Sequence, residues 1–217
     1  MKLALLLTTC MGLLLAFPKP GQAAAEYNRW SALVDTDERG DWGLDLRGGW
    51  PRFAARGQVG IGGGWSPTVE FVGTPSWRVE PSIGLSKSLL KSPRGRLVVE
   101  LLGGWQFQTG SLAQRGPSLV ARVRPLLSGK RVGLWLSLGT RHTLLFDRTT
   151  RRSIQESKVT WSARHRWSPE VGLGVVVRLA PRFSLTFGLD WAFVDVGTIA
   201  LSLPGLQAGV QFSGGRR

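Results

Sequence analysis

From residue 41 onward the chain alternates between apolar and polar positions. In DWGLDLRGGW, residues 41–50, one set of alternate positions reads Trp42, Leu44, Leu46, Gly48 and Trp50, and the other reads Asp41, Gly43, Asp45, Arg47 and Gly49. A period of two is that of a β-strand with one apolar and one polar face. The pattern recurs in residues 53–65, 77–85, 96–108, 119–127, 132–146, 158–179, 183–193 and 206–212. In residues 158–179, for example, Val159, Trp161, Trp167, Val171, Leu173 and Val175 oppose Lys158, Arg164, Arg166, Glu170 and Arg178. In residues 132–146, Trp135 falls on the polar parity with Gly133, Ser137 and Arg141. Residues 27–34 predict a short first strand, which makes ten. Residues 66–76, SPTVEFVGTPS, read as a loop.

The two faces obey one rule. Every Arg, Lys, Asp or Glu inside these segments lies opposite the apolar face. A charge turned toward lipid costs about 2–4 kcal/mol at the bilayer midplane, which explains such an exclusion. Eight steps of about 3.4 Å, inclined by about 40°, carry residues 42–50 across roughly 20 Å, close to the roughly 25 Å apolar band of a membrane-spanning barrel. The aromatics fall where the girdles of such a barrel belong: Trp42, Trp50, Trp65, Trp77, Trp105, Trp161, Trp191 and Phe212. Only a closed barrel pairs all its backbone groups in lipid. The expected fold is therefore all-β: a closed antiparallel up-and-down transmembrane β-barrel of ten strands, or eight from Phe53 onward. Short connections at Pro51, 91–95, 128–130 and 180–182 are expected at one, periplasmic, end. The basic segment DRTTRRSIQES, 147–157, is expected at the other.

Composition adds an export signal. Lys2, the apolar run 3–17 and Ala23-Ala24-Ala25 have the layout of a cleaved secretory signal over residues 1–25, leaving 26–217 as one barrel domain. The apolar run falls short of the roughly 20 residues of a spanning helix, and Pro18 and Pro20 break it. Thr9 before Cys10, the one cysteine, departs from the small residue of a lipoprotein site. The formal charge is +14, or +12 without Lys2 and Lys19. Such a charge suits anionic lipid or solute, and export argues against nucleic acid.

The last strand, Leu206, Ala208, Val210 and Phe212, closes on an aromatic. In this and in its overall pattern the chain resembles the small outer-membrane β-barrel proteins of Gram-negative bacteria, of the outer-membrane protein A, X and W type. The resemblance covers residues 26–217 and is one of pattern. It implies an outer-membrane location and assembly by the barrel-insertion machinery. The chain departs from that family in continuing with Ser213-Gly214-Gly215-Arg216-Arg217.

Candidate chemistry lies on the polar face. Asp45, Arg47, Arg56, Arg78, Glu80, Glu100, Arg122, Arg124, Arg141, Arg164, Arg166, Glu170, Arg178 and Asp190 are expected to form a charge network in a narrow lumen. Barrels of about eight strands are just wide enough for side chains, and buried charges are paired. The surplus of arginine leaves open a narrow anion-preferring pore or binding site. Arg148, Arg151 and Arg152 are candidates for contact with lipopolysaccharide phosphate, since guanidinium pairs bidentately with phosphate. His142 and His165 share the apolar parity on neighbouring strands and approach each other if the hairpin tip lies near 152–153; two histidines make a poor metal site. A lipid-modifying barrel enzyme is the rival, since His165, Ser168 and Glu170 supply a hydrolase's residue types. However, His165 has outward and the other two inward parity. No catalytic residue, cofactor or metal is expected. A periplasmic lipocalin-like binder remains if the faces are reversed and the apolar residues line the interior.

Overall fold

The structure, a computed structural model, describes residues 39–50, 52–74, 78–92, 95–108, 114–129, 131–152, 157–196 and 199–215. Residues 128, 147–152, 157–161, 192–196 and 199–204 are described by their backbone alone. The expected signal segment 1–25, the expected strand 27–34 and Trp77 lie outside the described residues.

Ten strands close into an antiparallel barrel in which each pairs with its neighbour in sequence and the last with the first. They are β1 (Trp42–Trp50), β2 (Phe53–Val59), β3 (Trp65–Thr74), β4 (Arg78–Ser92), β5 (Gly95–Gln108), β6 (Gln114–Ser128), β7 (Val132–Arg152), β8 (Ser157–Ala180), β9 (Phe183–Val196) and β10 (Ile199–Gly214). The described residues contain no helix. Closure is made by β1 on β10, from Trp42 opposite Gly214 to Trp50 opposite Leu206. No strand edge is then left along the wall, so the backbone is paired without water.

The count of ten agrees with expectation, but its composition does not. Residues 66–76, read as a loop, fold mostly as β3, and residues 53–65 are not one strand. Gly62, Gly63 and Gly64 have φ of 97°, 61° and 74°. Side-chain-bearing residues rarely adopt such values, so the triglycine turns the chain back after Val59. In β3, Trp65, Pro67, Val69 and Phe71 point outward and Ser66, Thr68 and Glu70 inward, as regular as any other strand. Residues 194–205, between the alternating segments 183–193 and 206–212, belong mainly to β9 and β10.

The extra strand corrects the direction of β1. The connections at 60–64, 93–94, 129–131 and 181–182 share one end with the start of β1 and the finish of β10. The connection at 51–52 lies at the opposite end, with 75–77, 109–113, 153–156 and 197–198, rather than with the short turns. We call these the terminal end and the hairpin end. The β7–β8 hairpin dominates the latter: its ladder runs from Val132 opposite Val177 to Arg152 opposite Ser157. Pairing of β7 to β6 stops at Asp147, and pairing of β8 to β9 stops at Glu170. The hairpin therefore rises beyond its neighbours.

The faces are those of a transmembrane barrel. Leu206, Ile83 and Trp50 are 73%, 67% and 66% exposed on the outside, while Glu80, Glu100, Arg141, Thr68 and Gln106 are buried within. Trp42, Trp65 and Phe212 stand on the outer wall toward the terminal end. Trp50 and Trp105 do so toward the hairpin end, where Trp191 is half-buried. Trp161 lies in β8, with only its backbone described. Lys87 and Arg115 have outward parity near the rims. Lys87 donates to Gly63 O at 2.5 Å and lies 4.6 Å from the Trp65 ring centre, so its charge is held at the terminal-end rim. The outward face is thus free of charge across its middle, not to its ends.

Candidate functional site: a charge-filled lumen

Register brings the lumen charges together. Across β1, β2 and β3, Asp45 stands opposite Arg56, and Arg56 opposite Glu70. Across β5 and β6, Glu100 stands opposite Arg122. Alternating signs on neighbouring strands are the favourable arrangement.

Arg122 is the hub. Its Nη1 donates to Glu70 Oε2 at 2.5 Å and its Nε to Glu170 Oε2 at 2.9 Å, with Glu100 Oε2 at 3.9 Å. Glu170 Oε1 accepts from Arg141 Nε at 2.8 Å. Arg141 also pairs with Glu80, which accepts from Ser118 Oγ at 2.7 Å and lies 3.4 Å from Arg78 Nη2. Glu100 holds Arg56 by both terminal nitrogens, one at 3.0 Å, and Arg124 Nη2 at 3.3 Å. Arg52 Nη1 reaches Glu170 at 3.7 Å and Asp190 at 3.5 Å. Asp45 and Arg47 form a separate pair, Nε to Oδ2 at 2.8 Å. One connected network thus spans the barrel from β2 to β9.

An apolar cluster of Val98, Leu126, Trp135 and Val176 fills the lumen toward the terminal end. Trp135 is its largest member. Arg47 Cζ lies 4.7 Å from its ring centre, a cation–π contact. The indole lies in a trough of glycines: a Cβ at Gly172, Gly174 or Gly188 would meet the ring at 3.1, 2.7 or 2.6 Å. The glycines of β8 and β9 therefore make room for a tryptophan turned inward.

The predicted network residues are placed as follows. Asp45, Arg47, Arg56, Arg78, Glu80, Glu100, Arg122, Arg124, Arg141, Glu170 and Asp190 all join ion pairs inside the barrel. Arg164 has the inward parity but is exposed, because β8 there stands above the barrel and encloses no lumen. Arg166 is half-buried in the same reach of β8. Arg178 lies near the terminal end, its Nε donating to Ala180 O at 3.4 Å. Arg148, Arg151 and Arg152 belong to the hairpin tip, with their side chains outside the described set. Sequence reasoning missed Glu70 and Arg52, since one lay in a presumed loop and the other in a turn. The alternation of residues 65–71 was the available signal.

Central charges are nearly balanced. Among the ion pairs of the described residues, seven arginines (47, 52, 56, 78, 122, 124 and 141) meet six acids (45, 70, 80, 100, 170 and 190). Arg96 is also buried on the inner face, and most of the +14 formal charge lies elsewhere in the chain. His142 and His165 do meet on the outer face: Nδ1 of His142 is 3.2 Å from Nε2 of His165, and the rings stack at 5.4 Å. Trp167 Nε1 donates to Thr140 Oγ1 beside them at 2.6 Å. Ser168 and Glu170 are buried on the inner face, away from exposed His165, so those three residues do not form one constellation. Among the described residues no group of three or more His, Cys, Asp or Glu is placed to hold a metal ion. The interior is charged, which removes the reversed, lipocalin-like arrangement.

The closed barrel, apolar outside and charged inside, is of the outer-membrane type. No protein-family model matches the chain, and no curated protein does. Among solved structures it is similar to Ail, the attachment invasion locus protein of Yersinia pestis, in complex with the heparin analogue sucrose octasulfate (12% identity, 81% of this chain and 99% of that one, TM-score 0.40). It is also similar to the N-terminal β-barrel domain of Pseudomonas aeruginosa OprF (10% identity, 81% and 98%, TM-score 0.37) and to Neisserial surface protein A (16% identity, 80% and 93%, TM-score 0.33).

Proposed function

We propose that this protein is an integral outer-membrane barrel of structural or binding type, whose lumen is a sealed scaffold and whose β7–β8 hairpin is the working surface. The observation that carries this reading is the connected ion-pair network across the interior. Buried charge of this density rigidifies a barrel when its partners are all present, and it leaves little room for solute passage. In this reading the terminal end, where β1 begins and β10 finishes, faces the periplasm, and the hairpin end, where β7 and β8 extend beyond their neighbours, faces outward.

Arg148, Arg151 and Arg152 lie near the tip of this hairpin, and guanidinium suits the phosphates of lipopolysaccharide headgroups. In this reading the hairpin grips those headgroups. The Arg148→Ser, Arg151→Ser, Arg152→Ser triple variant should fold and insert normally but co-purify with less lipopolysaccharide. Unchanged retention refutes the headgroup role and leaves the barrel scaffold standing.

A further inference from the structure

The terminal end carries a ring of cations. Arg39 precedes β1, where Gly40 N donates at 3.0 Å to Gly60 O in the β2–β3 connection. Lys87 donates to Gly63 O of the same connection. Lys91 stands opposite Arg96 where β4 meets β5. Arg131 lies between β6 and β7, and its carbonyl accepts from Arg178 N of β8 at 2.8 Å. Arg182 lies in the β8–β9 turn, and its carbonyl accepts from Ser213 N of β10 at 3.1 Å. Arg39, Lys87, Lys91, Arg131, Arg178 and Arg182 thus stand around the whole circumference. Arg39, Lys91, Arg131 and Arg182 are exposed and Lys87 and Arg178 half-buried, whereas Arg96 is buried on the inner face. Beyond the lumen pair of Asp45 and Arg47, the one carboxylate among the described residues at this end is Asp41. The adjoining sequence outside the described residues adds Arg94, Lys130, Arg216 and Arg217 against Asp35, Asp37 and Glu38, which does not reverse the sign.

The ring adjoins the outward aromatics of this end, Trp42, Trp65 and Phe212, and one cation is tied to them: Lys87 Nζ lies 4.6 Å from the Trp65 ring centre. Aromatic belts mark the depth at which lipid headgroups begin. Cations there meet headgroup phosphate, and clusters of Lys and Arg at a membrane surface favour anionic lipid. A soluble protein or a glycan strand would touch one arc of the rim. A bilayer surrounds the rim, and the cations are spread over all of it. We propose that the terminal-end ring is a binding surface for anionic phospholipid headgroups, which it draws into the lipid shell around the barrel. With this end facing the periplasm, as proposed above, these are phospholipids of the inner leaflet. The ring depends on the lipid-facing wall and not on any contact made by the hairpin.

The test uses the full-length barrel refolded in vesicles of equal parts phosphatidylcholine and phosphatidylglycerol. A trace of one lipid or the other carries a spin label, and the fraction immobilised by the protein is compared. The parent should immobilise more phosphatidylglycerol than phosphatidylcholine, and added salt should shrink that preference. The Lys91→Gln, Arg131→Gln, Arg182→Gln triple variant, checked for a folded barrel by its unboiled gel mobility, should lose most of it. The Arg148→Ser, Arg151→Ser, Arg152→Ser variant should keep it, which separates the ring from the hairpin. Equal immobilisation of the two lipids by the parent, including a parent that instead sediments with purified peptidoglycan, would overturn the proposal. An unchanged preference in the terminal-end variant, or its loss in the hairpin variant instead, would do the same.

Discussion

Replacing Glu100 with Gln is the sharpest perturbation of the lumen. The Glu100 side chain has no exposed surface, and it contacts Arg56 through two nitrogens, Arg124 at 3.3 Å and Arg122 at 3.9 Å. Without its charge, Arg122 keeps Glu70 and Glu170. Arg56 keeps long hydrogen bonds to Gln58 Oε1 at 3.3 Å and Ser86 Oγ at 3.4 Å, with Asp45 and Glu70 as its cross-strand neighbours. Arg124 loses the carboxylate that held it. Removing one partner of a buried pair costs about 3–5 kcal/mol, because the remaining charge stays buried and uncompensated. Glu100→Gln should therefore destabilise the barrel by about that amount. Adding Arg124→Gln should recover part of the loss, since it removes the stranded charge. The assay is urea unfolding in vesicles, with the folded fraction read from gel mobility without boiling. A Glu100→Gln barrel within about 1 kcal/mol of the parent, or additive single and double variants, would refute the network as the interior's organising element.

Three other outcomes follow from the same geometry. Ile83→Arg, on the outward mid-wall of β4 and opposite Gly103, should lower stability in a bilayer by about 2–4 kcal/mol; a neutral effect by the same unfolding assay would mean that this face does not meet lipid. Trp135→Ala should cost about 3–5 kcal/mol through the cavity it leaves, and a fluorescence-silent, near-neutral variant would contradict the filled trough. Gly63→Val, at φ 61° in the β2–β3 turn, should slow barrel assembly and lower the folded yield, measured as the fast-migrating band after refolding.

Much of this architecture was legible in residue order because a barrel wall demands strict alternation. The period of two gave the correct face to every arginine of the central network, from Arg47 in β1 to Arg141 in β7, except Arg52, which sits in a turn. The failures have physical causes. Pro67 and Gly73 lent residues 66–76 the composition of a loop, although Pro67 merely points outward and Gly73 lies under the Phe53 ring. That error hid Glu70, and with it the charge balance of the lumen, and it placed the Pro51 connection at the wrong end. Trp135 was assigned the polar parity by spacing alone. What lets it fill the lumen is register, which sets Gly174 opposite it and opposite Gly188, and periodicity along one strand carries no such information. Arg164 shows the converse limit: parity gives a face, but only pairing shows whether a lumen lies behind it.

The most direct test of the account is the gel mobility of the protein extracted from membranes, run with and without boiling. A charge-sealed barrel in the outer membrane should be found in the outer-membrane fraction and should migrate faster unboiled, shifting to its full apparent mass on heating. Recovery from the soluble periplasmic fraction, with the same mobility before and after boiling, would contradict the membrane-facing wall on which everything else here depends.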